Sequence, residues 1–233
     1  MKFYFLGEFG YVFRQLLPFL EQCDKVITLL TWKTTCQLID LLWPSKFNLI
    51  SAEDCDISFN GANRDCIHLR DVNIIKTLEQ DGFLHISALD GSRNFFSDMG
   101  WVVFRSLSEK IQYGEQLEDK TFASIFPRNR KIAEGKNNVS GFHVFWIKQN
   151  HPDLKIMGHG VPDERLDLNI PYCDDIYQQI NILNNSKFFI SPPSGMVDLA
   201  LFCGCDVILT GDYKNIEKSN PHNCKISKWE NVV

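Results

Sequence analysis

Two short stretches carry residue types suited to gripping a diphosphate. The first is Phe126-Pro127-Arg128-Asn129-Arg130-Lys131, which sets two guanidinium groups and one ammonium close together. A guanidinium holds phosphate oxygens through two parallel N–H bonds, whereas an ammonium acts as a point charge. The second is Ser191-Pro192-Pro193-Ser194-Gly195-Met196, which interrupts an apolar run. Two prolines cannot donate to a sheet ladder, so the strand before them must stop. Ser194 suits the capping position of a helix, and Gly195 lets the backbone come close to another group. A helix start carries unpaired N–H groups and partial positive charge, so Ser194, Gly195 and Met196 could hold a phosphate. Each stretch has a plainer reading, as a solvated basic loop and as an ordinary capped turn. Two such loops at the same end of one parallel sheet would make a diphosphate site, and that combination favours the functional reading of both.

A third stretch, Gly7-Glu8-Phe9-Gly10, follows the first apolar run. Gly7 and Gly10 allow close backbone approach, and Glu8 or a neighbour could take a proton from a hydroxyl. A turn that binds nothing has the same spacing. His159, between Gly158 and Gly160, is placed either to touch a nucleotide or to cap a turn. Asp163 and Glu164 could hold a ribose or a base edge, or serve only as loop polarity. Asp54-Cys55-Asp56 has the Asp-x-Asp form of a metal-dependent sugar transferase, a reading that leaves the second half of the chain unexplained. The eight cysteines include no Cys-x-x-Cys pair, so the ligand spacing of a structural metal site is missing. Cys203 and Cys205, flanking Gly204 in an apolar setting, read as small buried hydrophobes.

The elements that must position these residues alternate. Strand-like runs at 2–6, 25–31 and 47–51 are separated by helical spacing over 11–23, where Pro18 marks a kink or early stop, and over 35–43, ended by Pro44. Short strand-like pieces follow over 54–70, then a helix over 71–80, a strand over 83–87 and a longer helix over 97–111. The polar stretch 113–120 reads as a linker. A second series begins with a strand at 122–126 and a helix at 141–150. Next come a strand at 153–158, a helix at 174–186 with Asp174 near its positive end, and a strand at 187–191. A helix over 194–204 and a strand over 205–211 close it, and the last twenty or so residues read as a polar surface wrap. This order predicts parallel sheets with helices packed on them.

Charge and composition narrow the function. A net charge of -5 argues against a general nucleic-acid binder but not against a local anion site. No apolar run approaches the roughly 18 residues of a membrane span, and the start lacks the pattern of a signal peptide. The reading is therefore a cytoplasmic protein without a transmembrane segment. Neither Gly-x-Ser-x-Gly nor Gly-x-Gly-x-x-Gly after a strand occurs, so a hydrolase or a nicotinamide reductase lacks support.

The run LNNSKFFISPPSGMVDLALFCGCDVILTGD (183–212) resembles the nucleotide-sugar-binding region of GT-B glycosyltransferases, especially the heptosyltransferase-like group. GEFGYVFRQLLPFL (7–20) resembles that group's opening strand, turn and helix, and FPRNRK its second domain's first strand and basic loop. The resemblance implies an α/β chain of two compact Rossmann-like domains facing each other across a cleft. Residues 1–115 would form the acceptor-side domain and 116–233 the nucleotide-sugar-binding domain. It implies transfer of a sugar from a nucleotide-sugar donor to a hydroxyl of a glycan or other acceptor, without an essential metal or a cofactor. Arg128, Arg130 and Lys131 would be its cations, Ser194, Gly195 and Met196 its helix-start contacts, and Gly7, Gly10 and His159 further substrate contacts. Glu8 would be the base. Two positions depart from the group's pattern: Tyr11 stands where it has an acidic residue, and Asp198 and Leu199 lie where it has a histidine. A nucleotide-sugar-binding module without transferase activity is therefore the alternative.

Overall fold

The computed structural model describes residues 1–7, 9–57, 72–86, 107–108, 111, 119–127, 139–160, 168–212, 216 and 220–233, with Tyr11 and Arg14 described by their backbone only. The chain divides into two compact units, Met1–Ile111 and Gln112–Val233.

The first unit is built on four parallel strands, β1 (Lys2–Phe5), β2 (Thr28–Thr31), β3 (Asn48–Ser51) and β4 (Phe83–His85), in the order β3-β2-β1-β4. Helices α3 (Lys33–Leu42) and α4 (Val72–Gln80) connect them. Phe3, Phe5 and Leu29 are buried on one face, and Tyr4, Leu30 and Phe83 cluster with Leu78 on the other. Burial on both faces is why these strands read as unbroken apolar runs.

The segment after β1 departs from the expected kinked helix. It winds from α1 (Phe9–Tyr11) through a π-helical stretch, Val12–Leu16, into α2 (Leu17–Glu21). Pro18 sits in the first turn of α2 and neither ends nor breaks the winding. The wider π turn ahead of it removes the clash a proline ring makes with the carbonyl one α-turn back. Leu16, Leu17 and Leu20 are completely buried along this segment.

The second unit holds six parallel strands: β5 (Phe122–Ile125), β6 (Lys155–His159), β7 (Tyr172–Cys173), β8 (Ser186–Ser191), β9 (Val207–Leu209) and β10 (Ile226–Lys228). Their order is β10-β9-β8-β5-β6-β7. Numbered within the unit and read from the β7 edge, this is the 3-2-1-4-5-6 order of dinucleotide-binding sheets. The connecting helices are α5 (Gly141–Asn150), α6 (Ile176–Asn184) and α7 (Gly195–Phe202). Every residue of α7 from Met196 to Phe202 is buried, all apolar except Asp198, so this helix is covered all round and carries no amphipathic period.

Two expectations are corrected here. The carboxyl-terminal stretch does more than wrap the surface. It supplies β10, paired to β9 with Val207 opposite Ile226, and its Trp229 packs on His143 and Trp146 at ring separations of 4.2 and 5.2 Å. Asp174 is not the residue at the start of α6; Asp175 caps it, accepting from the Gln178 amide at 3.0 Å. Most of the expected linker at 113–120, most of the helix at 97–111 and the strand-like pieces from 58 onward lie outside the described residues. Among the described residues, no helix is long and apolar enough to cross a membrane.

Candidate functional site

The sheet of the second unit reverses its strand order between β5 and β8. These strands pair in register, Ile125 opposite Ile190, and the Phe126 amide continues the ladder by donating to the Ile190 carbonyl at 3.0 Å. Phe126 and Ser191 therefore lie side by side at its carboxyl edge, and the two chains leave the sheet just beyond them. In open α/β sheets, ligands bind in the crevice at this reversal, outside the carboxyl ends of the strands. The basic stretch and the Pro-Pro-Ser-Gly turn thus spring from adjacent strands. Arg128, Arg130 and Lys131 themselves lie outside the described residues.

The turn after β8 is held by its own hydroxyls. Ser191 Oγ donates to the Pro192 carbonyl at 2.6 Å, so Ser194 Oγ donates to Ser191 Oγ at 3.1 Å. The Thr210 amide, at the end of β9, binds the Ser191 carbonyl at 3.1 Å and ties the turn to the next strand. Ser194 occupies the cap position of α7 but makes no side-chain bond to the helix amides. Its hydroxyl is spent on the turn, which leaves the amides of Gly195 and Met196 unbonded by the capping side chain. Asp198 is completely buried in the first turn of α7 and engaged there, a feature hidden in the sequence by the apolar run around it.

His159 is corrected. It is neither at a turn nor open to a nucleotide: it is the last residue of β6, 0% exposed, with its ring edge-on to Phe189 at 5.8 Å. A chain of buried hydrogen bonds sets its protonation. Ser186 Oγ donates to the Ile182 carbonyl at 2.7 Å and so accepts from Ser124 Oγ, also at 2.7 Å. Ser124 has then used its proton and accepts from His159 Nε2 at 2.9 Å. The imidazole is therefore the neutral Nε2–H form, and its Nδ1 is a buried acceptor without a partner among the described residues. Burial lowers its pKa to about 3. Ser124 and Ser186 were not singled out in the sequence, because a serine inside a strand gives no local sign of its partners.

In the first unit, Gly7 is buried just past β1, and its carbonyl accepts from the Trp32 indole N–H at 3.1 Å. Gly10 lies within α1, so the expected turn closes early into a helix. Glu8 lies outside the described residues, as do Asp163 and Glu164. Asp54 and Asp56 are exposed just past β3, in and after a short 3-10 turn. The neighbouring Glu53 carboxylate is spent on the Lys33 amide, at 2.9 Å, and on Ser51 Oγ, at 2.8 Å, so it serves the start of α3. Among the described residues, no three histidine, cysteine or acidic side chains come together to hold a metal ion. Burial pushes the Cys203 and Cys205 thiols well up, and Cys224 to about 11, so all three stay protonated.

No protein-family profile matches the sequence, and no curated protein matches it. Solved structures do. A glycosyl transferase family 9 structure from Veillonella parvula aligns over 97% of this chain and 85% of its own, with a TM-score of 0.55 and 13% identity. The E. coli heptosyltransferase WaaC with ADP-2-deoxy-2-fluoro heptose aligns over 96% and 91%, with a TM-score of 0.52 and 7% identity. At such identities the likeness is one of fold. The fold is the GT-B one of these structures, with two α/β units each built on a parallel sheet.

Proposed function

We propose that this chain is a glycosyltransferase that moves a sugar from a nucleotide-sugar donor to an acceptor hydroxyl without an essential metal. The observation that carries the reading is the adjacency of β5 and β8, from whose carboxyl ends the basic stretch and the α7 turn emerge. In the reaction, the acceptor oxygen bonds to the anomeric carbon as the bond to the departing diphosphate breaks. Negative charge builds on that diphosphate, and cations and amides already aimed at it lower the barrier without reorganising. Arg128, Arg130 and Lys131 are the cations we assign to it, with Gly195 and Met196 offering amides and Ser194 shaping the turn. The second unit is then the nucleotide-sugar domain and the first the acceptor domain, where Gly7 and Gly10 bring backbone close to substrate. The acceptor proton goes to a base, and Glu8 is our candidate.

The E. coli neighbour's complex carries an ADP-linked sugar, which makes ADP-sugars the first donors to test. A thermal-shift screen of nucleoside diphosphates and their sugars, run with and without a chelator, tests the reading. Selective stabilisation that survives the chelator supports it, since a ligand bound only by the folded chain raises its melting temperature. A flat response to every nucleotide ends it. Transfer assays then separate enzyme from binding module: Glu8→Gln should lower turnover at least tenfold while donor affinity changes little. Equal turnover removes Glu8 as the base.

A further inference from the structure

We propose that Phe126 supplies the stacking face for the nucleobase of the bound nucleotide, and that Gly160 lacks a side chain so that the ring can lie there. The inference rests on the nucleotide-sugar reading above and deepens it by naming what holds the base.

Phe126 is the first residue past β5, anchored by its amide to Ile190 at 3.0 Å. Its neighbours Ile125 and Pro127 are buried, yet Phe126 itself is partly exposed. A Cβ on Gly160 would stand 3.2 Å from ring carbon Cε2 and 3.8 Å from Cδ2, so Gly160 meets the ring at its edge. Gly160 also has φ +84°, a conformation side chains rarely adopt. Among the described residues, no aromatic ring or cation stacks on Phe126. Other large rings of this unit are engaged: Phe188 and Trp229 each pack on Trp146, and Phe189 packs on His159. An apolar ring held at its edge, with no stacking partner among the described residues, is suited to a flat ligand.

Topology says which flat ligand. In a sheet of this order, the diphosphate lies at the reversal point and the ribose reaches the carboxyl end of the unit's second strand. Here the reversal lies between β5 and β8, and the second strand is β6, which ends at His159 and runs into Gly160. A nucleoside leading from diphosphate toward that strand end passes Phe126. The ground beneath is rigid, because His159 is locked through Ser124 and Ser186 to the Ile182 carbonyl. Stacking is tolerant of base identity, since every base has a π face. Phe126 therefore contributes affinity for a nucleotide, and the choice among nucleotides falls to polar groups at the base edge.

The test is calorimetric titration of the full chain with ADP, UDP and inorganic pyrophosphate. Phe126→Ala and Phe126→Leu should bind both nucleotides about tenfold or more weakly than wild type while holding pyrophosphate equally well. Phe126→Trp should keep nucleotide affinity. Thermal melting checks folding, and Phe126→Leu and Phe126→Trp carry the test if the alanine variant fails to fold. Unchanged nucleotide affinity in Phe126→Leu overturns the proposal. So does a parallel loss of pyrophosphate, which would mean the ring only shapes the adjoining loop. If wild type binds neither nucleotide nor pyrophosphate, the functional reading falls as well; if it binds them and ignores the ring, this inference falls alone.

Discussion

Arg128 carries the first prediction at the scale of single residues. A guanidinium whose role is to grip phosphate oxygens contributes to ligand binding more than to packing. Arg128→Ala should therefore weaken nucleotide-sugar binding about tenfold or more and leave the melting temperature within a degree or two. Unchanged affinity in calorimetry removes it from the diphosphate site. His159 makes the opposite kind of prediction, because its burial matters to stability. Its folded pKa is depressed to about 3 by desolvation, while the unfolded chain's histidines titrate near ~6.5. The unfolded state thus takes up the proton first. The contribution is complete above about pH 6.5 and is lost as pH falls, at about 1.4 kcal/mol per unit, until about pH 3. His143, also lowered by burial, adds a loss of the same sign. Urea unfolding at pH 7 and pH 5 should show this slope, and His159→Gln should flatten it. An unaltered slope in that variant would refute the burial account. The residues around His159 put it at the end of a strand, as it is, but left its ring open to a nucleotide or a turn. A histidine between two glycines looks like a loop residue until neighbouring strands close over it.

At the scale of elements, the starts of α6 and α7 behave differently although both carry a good capping residue. Asp175 accepts from the Gln178 amide at 3.0 Å, so Asp175→Ala should cost about 1 kcal/mol. Ser194 makes no such bond, so Ser194→Ala should cost less than half as much in a denaturant titration. Equal costs would show that the Ser194 hydroxyl does cap α7 in solution. Most strands were legible because a parallel strand buried on both faces is a plain apolar run bounded by Gly, Pro or Ser, whereas the short edge strands β7 and β10 were not. Helix α5 was legible to its ends, Gly141–Asn150. The segment around Pro18 was not, because a proline's local rule assumes α geometry and the π stretch before it changes which carbonyl the ring meets.

Across the whole molecule, the carboxyl-terminal stretch is the part whose importance the sequence understated. It lays β10 on the free edge of β9 and sets Trp229 against His143 and Trp146. Truncation before Cys224 should therefore destabilise the second unit by about 3 kcal/mol or more, the scale of losing a packed tryptophan. A melting curve unmoved by the truncation would mean that the strand and its ring add nothing. The sequence by itself determined where most strands and helices lie, which turns carry glycine, serine and proline, and that cations follow one strand. Those features depend on residues a few positions apart and on the chemistry of each side chain. Only the tertiary structure decided that β8 lies beside β5, that His159 is sealed inside, that Phe126 has no stacking partner among the described residues and that the tail completes a sheet. Each of these depends on pairing between segments distant along the chain, and no local pattern of apolar residues specifies which strand a given strand will choose.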